Sequence, residues 1–150
     1  MIVETRSVEE TREVGRRVGA AARPGLVFSL VGDLGAGKTQ FAKGVALGLG
    51  LADPDVVTSP TFVLMNSYDA NVPIRHYDLY RIDGRELASL GFYDFRDGSV
   101  ILVEWGDRAA GLGDHVRVTF EIAGETARRL TFRAEGQASE AFLKSLNLRP

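Results

Sequence analysis

The sequence predicts a three-layer α/β domain built on a mixed, mainly parallel sheet, and three observations carry that prediction. A largely apolar run, Leu26-Val27-Phe28-Ser29-Leu30-Val31, reads as a buried strand. The glycine-rich stretch Gly32-Asp33-Leu34-Gly35-Ala36-Gly37-Lys38-Thr39 follows at once, and Phe41, Val45 and Leu49 then recur at helical spacing. Strand, glycine-rich turn and helix in that order open a unit whose helices cover the faces of a sheet. At 150 residues, 45% hydrophobic and 25% charged, the chain has apolar material for one compact core, so residues 1–150 are read as a single domain.

The remaining elements follow in order. Ile2 to Thr5 is a short strand, and a helix starts at Ser7, where Ser7 and Glu10 have capping-box spacing. Val14, Val18, Ala21 and Ala22 form its expected buried side, and Glu13 to Arg17 is an i,i+4 pair on its solvated face. Pro24-Gly25 ends this unit, and the helix after the loop closes around Gly48-Leu49-Gly50. Two extended segments, Thr61 to Tyr68 and Val72 to Tyr80, flank Asp69-Ala70-Asn71 as a hairpin that adds antiparallel edges to the parallel core. Val100-Ile101-Leu102-Val103 is the second strongly buried strand and ends in Glu104. Residues 115–122 and 128–134 alternate as two further strands, and Ser139 to Leu146 is a closing helix.

Composition narrows the function classes. Without cysteine there is neither a disulfide framework nor a thiolate metal site, which suits the cytosol. No apolar run reaches membrane-spanning length and the acidic, polar N-terminus is unlike a signal peptide, so the expectation is a soluble cytoplasmic protein without membrane contact. The net charge of −2 gives no basic excess for autonomous nucleic-acid binding, and an RNA role would run through a partner.

The glycine-rich stretch matches G-x-x-x-x-G-K-[ST], which predicts a phosphate-binding loop and a P-loop NTPase fold. Its glycines allow consecutive N–H groups to turn inward around phosphates, so Asp33, Leu34, Gly35, Ala36 and Gly37 are expected to contact nucleotide through their backbone. Lys38 would neutralise the β- and γ-phosphates and the Thr39 hydroxyl would ligate Mg²⁺. Both open a helix, whose N-terminal N–H groups favour an anion, and Gln40 follows them.

Hydrolysis needs acids as well. Glu104, directly after four apolar residues, stands where a second strand would present a carboxylate to Mg²⁺ or its water. Asp78, in His76-Tyr77-Asp78-Leu79-Tyr80-Arg81, is either a second functional acid or a strand charge paired with an arginine. Thr58-Ser59-Pro60-Thr61-Phe62 is either a switch, with Ser59 and Thr61 sensing the γ-phosphate or metal, or a capped proline turn. Trp105 reads as a packing residue that could also shield the metal, and His76 as a hydrogen-bonded structural histidine.

Together G-D-L-G-A-G-K-T at 32–39, S-P-T-F at 59–62, H-Y-D-L-Y-R at 76–81, L-x-x-L-G at 87–91 and E-W at 104–105 resemble the TsaE (YjeE) family, over residues 1 to about 110. The resemblance implies a small ATPase that acts with TsaD and TsaB to form N6-threonylcarbamoyladenosine in tRNAs reading codons that begin with A. It implies that ATP hydrolysis resets the TsaD–TsaB assembly, with tRNA contacted only through the complex. By the same resemblance Thr39 and Glu104 are Mg²⁺ ligands, Asp78 lies near the metal or orders the attacking water, and Thr11 contacts the base. Gln40 and Gly106-Asp107-Arg108 depart from the family's usual residues. A guanine-reading N-K-x-D segment is absent, which favours adenine. The rival readings are a small-molecule kinase, for which Arg81, Arg85, Arg128 and Arg129 could supply lid arginines, and a nucleotide-dependent binding module with incidental hydrolysis.

Overall fold

Strand and helix alternate through most of the chain: β1 (Ile2–Thr5), α1 (Val8–Ala21), β2 (Val27–Val31), α2 (Lys38–Gly48), β3 (Met65–Tyr68), β4 (Ile74–Asp78), α3 (Phe92–Phe95), β5 (Val100–Glu104), β6 (His115–Ile122), β7 (Arg128–Glu135) and α4 (Gln137–Ser145). The computed structural model describes residues 1–60, 63–81 and 84–148. One seven-stranded sheet has the order β1-β7-β6-β2-β5-β4-β3. Its central four strands, β6, β2, β5 and β4, run parallel, while antiparallel pairs with β7, β1 and β3 finish both edges.

Side chains of the central strands alternate between two cores. Phe28, Leu30, Val100 and Leu102 point to the face covered by α1, α2 and α4, where Phe41, Val45 and Phe142 meet them. Val27, Ile101, Val103 and Tyr77 point the other way, onto Leu87, Phe92 and Leu112. Both faces being covered, β2 and β5 are buried along nearly their whole length, as parallel strands require.

Helix α1 is capped as its spacing predicts: Ser7 Oγ accepts from Glu10 N at 3.1 Å, and Glu10 reaches back to Arg6 N at 2.6 Å. On its solvent face Glu13 bonds Arg16 at 2.7 Å more closely than Arg17 at 3.3 Å, so the i,i+3 partner dominates. The Arg16 guanidinium lowers the Glu13 carboxyl to about 2. The buried stripe is Thr11, Val14, Gly15, Val18 and Gly19. Ala22 is half-buried against the core as expected, but Ala21 is exposed, because glycines rather than Ala21 face the neighbouring helix. A Cβ on Gly15 would lie 2.3 Å from Phe41 O, one on Gly19 2.1 Å from Val45 O, and one on Gly44 2.0 Å from Arg12 O. Helices α1 and α2 therefore touch backbone to backbone, a separation that any larger residue would prohibit.

Other expectations shift in detail. The extended reading of residues 61–68 narrows to Met65–Tyr68, preceded by Leu64 at a positive φ of 69°, while Thr61 and Phe62 lie outside the described residues. Strand β4 does pair antiparallel with β3, yet it also runs parallel to β5, so only β3 is an added edge. The last helix starts at Gln137, ahead of the expected Ser139. Its N-cap is a glycine without a side chain, and Asp114 substitutes by accepting from Ala138 N at 2.8 Å and Ser139 N at 3.0 Å. Among the described residues no helix is long and apolar enough to cross a membrane.

Candidate functional site

The glycine-rich loop joins the end of β2, at the centre of the sheet, to the first turn of α2. Gly35 and Gly37 have φ values of 80° and 107°, left-handed conformations that admit glycine without strain. A Cβ on Gly35 would meet nothing, so that side of the loop is open. Phe41 N bonds Gly37 O at 2.9 Å and starts the helical ladder, leaving the N–H groups at its beginning directed out of the helix. Asp33 and Leu34 stand exposed, Leu34 at 72%, whereas Ala36 is buried beneath the loop.

Lys38 is almost fully buried. Its Nζ donates to Gly32 O and lies 3.9 Å from the centroid of the Trp105 ring. Burial pushes the ammonium below the ordinary lysine range, and the carboxylates of Glu104, Asp78, Asp107 and Asp33 oppose that shift. Trp105 is set over the lysine by a left-handed turn at φ 58° immediately after β5, and Tyr80 packs against it at 5.2 Å between centroids.

Two acids end adjacent strands. Asp78 and Glu104 are register partners in the parallel β4–β5 pair and both are buried. Asp78 accepts from Ser59 Oγ at 3.0 Å and from Tyr80 N at 2.8 Å. Glu104 Oε2 lies 2.8 Å from His76 Nε2, whose other ring nitrogen is 3.3 Å from the Tyr68 hydroxyl. Burial raises the Tyr68 phenol, which keeps it a neutral hydrogen-bonding group.

A cleft of about 400 Å³ collects these groups, with Lys38, Thr39, Ser59, Glu104 and Trp105 among its walls. Leu34, Gly35, Gly37 and Gln40 line it from the loop side. Its size suits a small-molecule ligand, for which sites span about 300–1,000 Å³. Thr11 lines a smaller neighbouring pocket with Gly37, Gln40 and Arg128, and its hydroxyl is 2.7 Å from that of Thr5. The side chain of Gln40, on the cleft wall, accepts from Arg12 of α1 at 2.8 Å. Asp78 reaches the cleft through Ser59. Of the two predicted switch hydroxyls, Ser59 is thus placed, and Thr61 lies outside the described residues.

The donor set suits a hard cation. Thr39 and Glu104, which carry a hydroxyl and a carboxylate, line the same cleft. Magnesium bound to substrate phosphates asks for that arrangement, one or two protein oxygens with the rest from phosphate and water.

Three contacts lay beyond sequence reasoning. His76 carried a polar signal, but its link to Glu104 depends on the β4–β5 register. Tyr68 reaches it from the edge strand. Arg128, from the far side of the sheet, donates to Gly35 O at 3.1 Å and so braces the loop, while also bonding the carbonyls of Gly124 and Ala127 in its own hairpin. No local motif signals a contact 93 residues away.

Fold and site define an α/β protein whose glycine-rich loop links a central parallel strand to a helix N-terminus beside two buried acids. The family model described as threonylcarbamoyl adenosine biosynthesis protein TsaE matches residues 5–131, and the chain belongs to the TsaE family. It is 38% identical over 143 residues to the Bacillus subtilis protein named tRNA threonylcarbamoyladenosine biosynthesis protein TsaE, covering 93% of this chain and 89% of the relative. The Treponema pallidum protein of the same name is 38% identical over 120 residues, covering 79% and 87%. The crystal structure of Bacillus subtilis YdiB superposes with a TM-score of 0.76 at 32% identity, covering 97% of this chain and 92% of that one.

Proposed function

We propose that this chain is a P-loop ATPase, dependent on Mg²⁺, that serves formation of N6-threonylcarbamoyladenosine in tRNA together with TsaD and TsaB. The observation that carries the reading is the convergence of Lys38, Thr39 and Glu104 on the cleft beside the open loop. Backbone N–H groups of residues 33–39 would cradle the phosphates, and the α2 N-terminus adds its positive end. Lys38 would leave Gly32 O and Trp105 to meet the β- and γ-phosphates, where its positive charge offsets theirs. Thr39 Oγ1 and a Glu104 oxygen would hold Mg²⁺. When bound, the metal neutralises charge on the β- and γ-oxygens. Asp78 would orient the attacking water or a metal-bound one through the oxygens that now accept from Ser59 and Tyr80 N.

Arg128, the arginine braced on the loop, bonds Gly35 O and its own hairpin rather than pointing at the phosphate end. The loop at 32–39 holds no arginine of its own, so the free protein is expected to be slow, and docking on TsaD at its interface with TsaB would supply further charge stabilisation. The test is ATP hydrolysis by the chain alone and with TsaD and TsaB, with modified adenosine in tRNA followed in the same tubes. Partner-stimulated hydrolysis and multiple-turnover modification that both need Thr39 and Glu104 are expected. Equal rates with and without partners would refute the partner-completed site, and acceptor-stimulated ATP consumption without partners would make the chain a kinase.

A further inference from the structure

The two buried acids share one support. Asp78 is held by Ser59 of the 58–60 turn directly, through the 3.0 Å bond to its hydroxyl. Glu104 is held by His76 Nε2 at 2.8 Å, and His76 Nδ1 lies 3.3 Å from Tyr68 Oη, which in turn is 3.2 Å from Thr58 O. Asn66 Nδ2 braces the same corner, 3.3 Å from Tyr68 Oη and 3.4 Å from Thr58 O. His76 is wholly buried between these groups, so its ring has no water to turn towards. The Tyr68 hydroxyl carries a single proton, which Thr58 O accepts, and it also pairs with His76 Nδ1 in the direction that the imidazole tautomer sets. A displacement of Thr58 would therefore pull on Tyr68 and, through it, on the imidazole beside Glu104.

We infer that His76 and Tyr68 are positioning residues that tie the Glu104 carboxylate to the 58–60 turn, making that turn the common mechanical support of both acids. The inference rests on Glu104 serving Mg²⁺, as proposed above. A carboxylate presented to a metal binds well only when its second oxygen and its rotamer are fixed by a neighbour, and such neighbours govern affinity nearly as strongly as the ligands. Here the neighbour is itself attached, through Tyr68 and Thr58, to the segment that contributes Ser59 to the cleft wall. A nucleotide or partner that shifts residues 58–60 therefore resets Asp78 and Glu104 in one motion.

The test uses the full chain with a non-hydrolysable ATP analogue and a Mg²⁺ titration read through emission of Trp105, the only tryptophan. Hydrolysis is measured in parallel. His76→Asn keeps a group at the Nδ1 position but loses the bond to Glu104, and should raise half-saturating Mg²⁺ about tenfold with metal-free analogue affinity unchanged. His76→Gln places an amide nitrogen near Nε2 and should restore most of the loss. Tyr68→Phe, which keeps the ring packing, should raise half-saturating Mg²⁺ about threefold. Because both act along one chain of contacts, the Tyr68→Phe/His76→Asn double variant should be no worse than His76→Asn alone. Unchanged Mg²⁺ dependence in Tyr68→Phe and His76→Asn, or additive losses in the double variant, would overturn the inference while leaving the ATPase reading intact. A Mg²⁺ response in Glu104→Gln equal to that of the wild-type chain would overturn both.

Discussion

Lys38 rests on Trp105, its Nζ 3.9 Å from the ring centroid, so the cation of the loop covers the only indole in the chain. The contact is an attraction of ammonium to π-face in a partly desolvated setting, and the phosphates of a bound nucleotide would compete for the same charge.

Addition of ATP is accordingly expected to change tryptophan emission as Lys38 transfers to phosphate. In Lys38→Ala the emission change should be lost and ATP affinity should fall by about tenfold or more, the order expected for losing charge-assisted hydrogen bonds. A fluorescence titration with a calorimetric check measures both. Unchanged affinity would mean that the loop does not hold phosphates.

Glu104→Gln removes a charge while keeping the size and an oxygen for His76. Hydrolysis should drop by about a hundredfold or more, since even a group that only supports a metal ligand costs about 10–100-fold when lost. ATP binding should stay within a few-fold. Steady-state rates with and without TsaD and TsaB report the loss, and full tRNA modification by this variant would instead favour a binding module whose hydrolysis is incidental.

Gly15→Ala places a Cβ 2.3 Å from the Phe41 carbonyl oxygen, which is backbone and cannot rotate away. Forced separation of α1 and α2 should cost about 1–3 kcal/mol. Thermal unfolding is the measurement, with Gly98→Ala as control, since a Cβ there meets nothing within 4 Å. A melting point for Gly15→Ala equal to that of the control would contradict the glycine contact.

Asp114 acts as the cap that Gly136 lacks, and its replacement by alanine should cost about 1 kcal/mol. Burial alone would raise its carboxyl, but hydrogen bonds from Ser139 and Ala138, with Arg96 nearby, hold it below the usual range. A folded-state value below the unfolded one means that the stabilisation is full above the ordinary carboxylate range and disappears as pH falls through the lowered value. Urea unfolding of wild type and Asp114→Ala should therefore diverge at neutral pH and converge in acid.

Much of this architecture was legible because its causes are local. The β2 and β5 runs, the capping box at Ser7 and Glu10, and the glycine-rich loop each state their conformation in consecutive residues. The exposed Ala21 was not legible, since the choice between glycine and alanine as the packing face depends on matching glycines in α2. Strand order was likewise hidden. Nothing local says that β4 lies beside β5, and only that register brings Asp78 level with Glu104 and His76 within 2.8 Å of it. Residue types thus pointed to the site, while its internal wiring came from long-range pairing.

At Gly15, Gly19, Gly44 and Gly48 the two helices meet backbone to backbone, with no side chain between them at those four positions. Gly48 backs onto Arg16 and Ala20 at one end, and Gly37 meets Thr11 at the other. A pair in contact through its backbones has no rotamers along that seam that could yield. The N-terminal turn of α2 carries Lys38 and Thr39, so the distance of these two residues from α1 is set by main-chain contact rather than by the choice of side-chain rotamers.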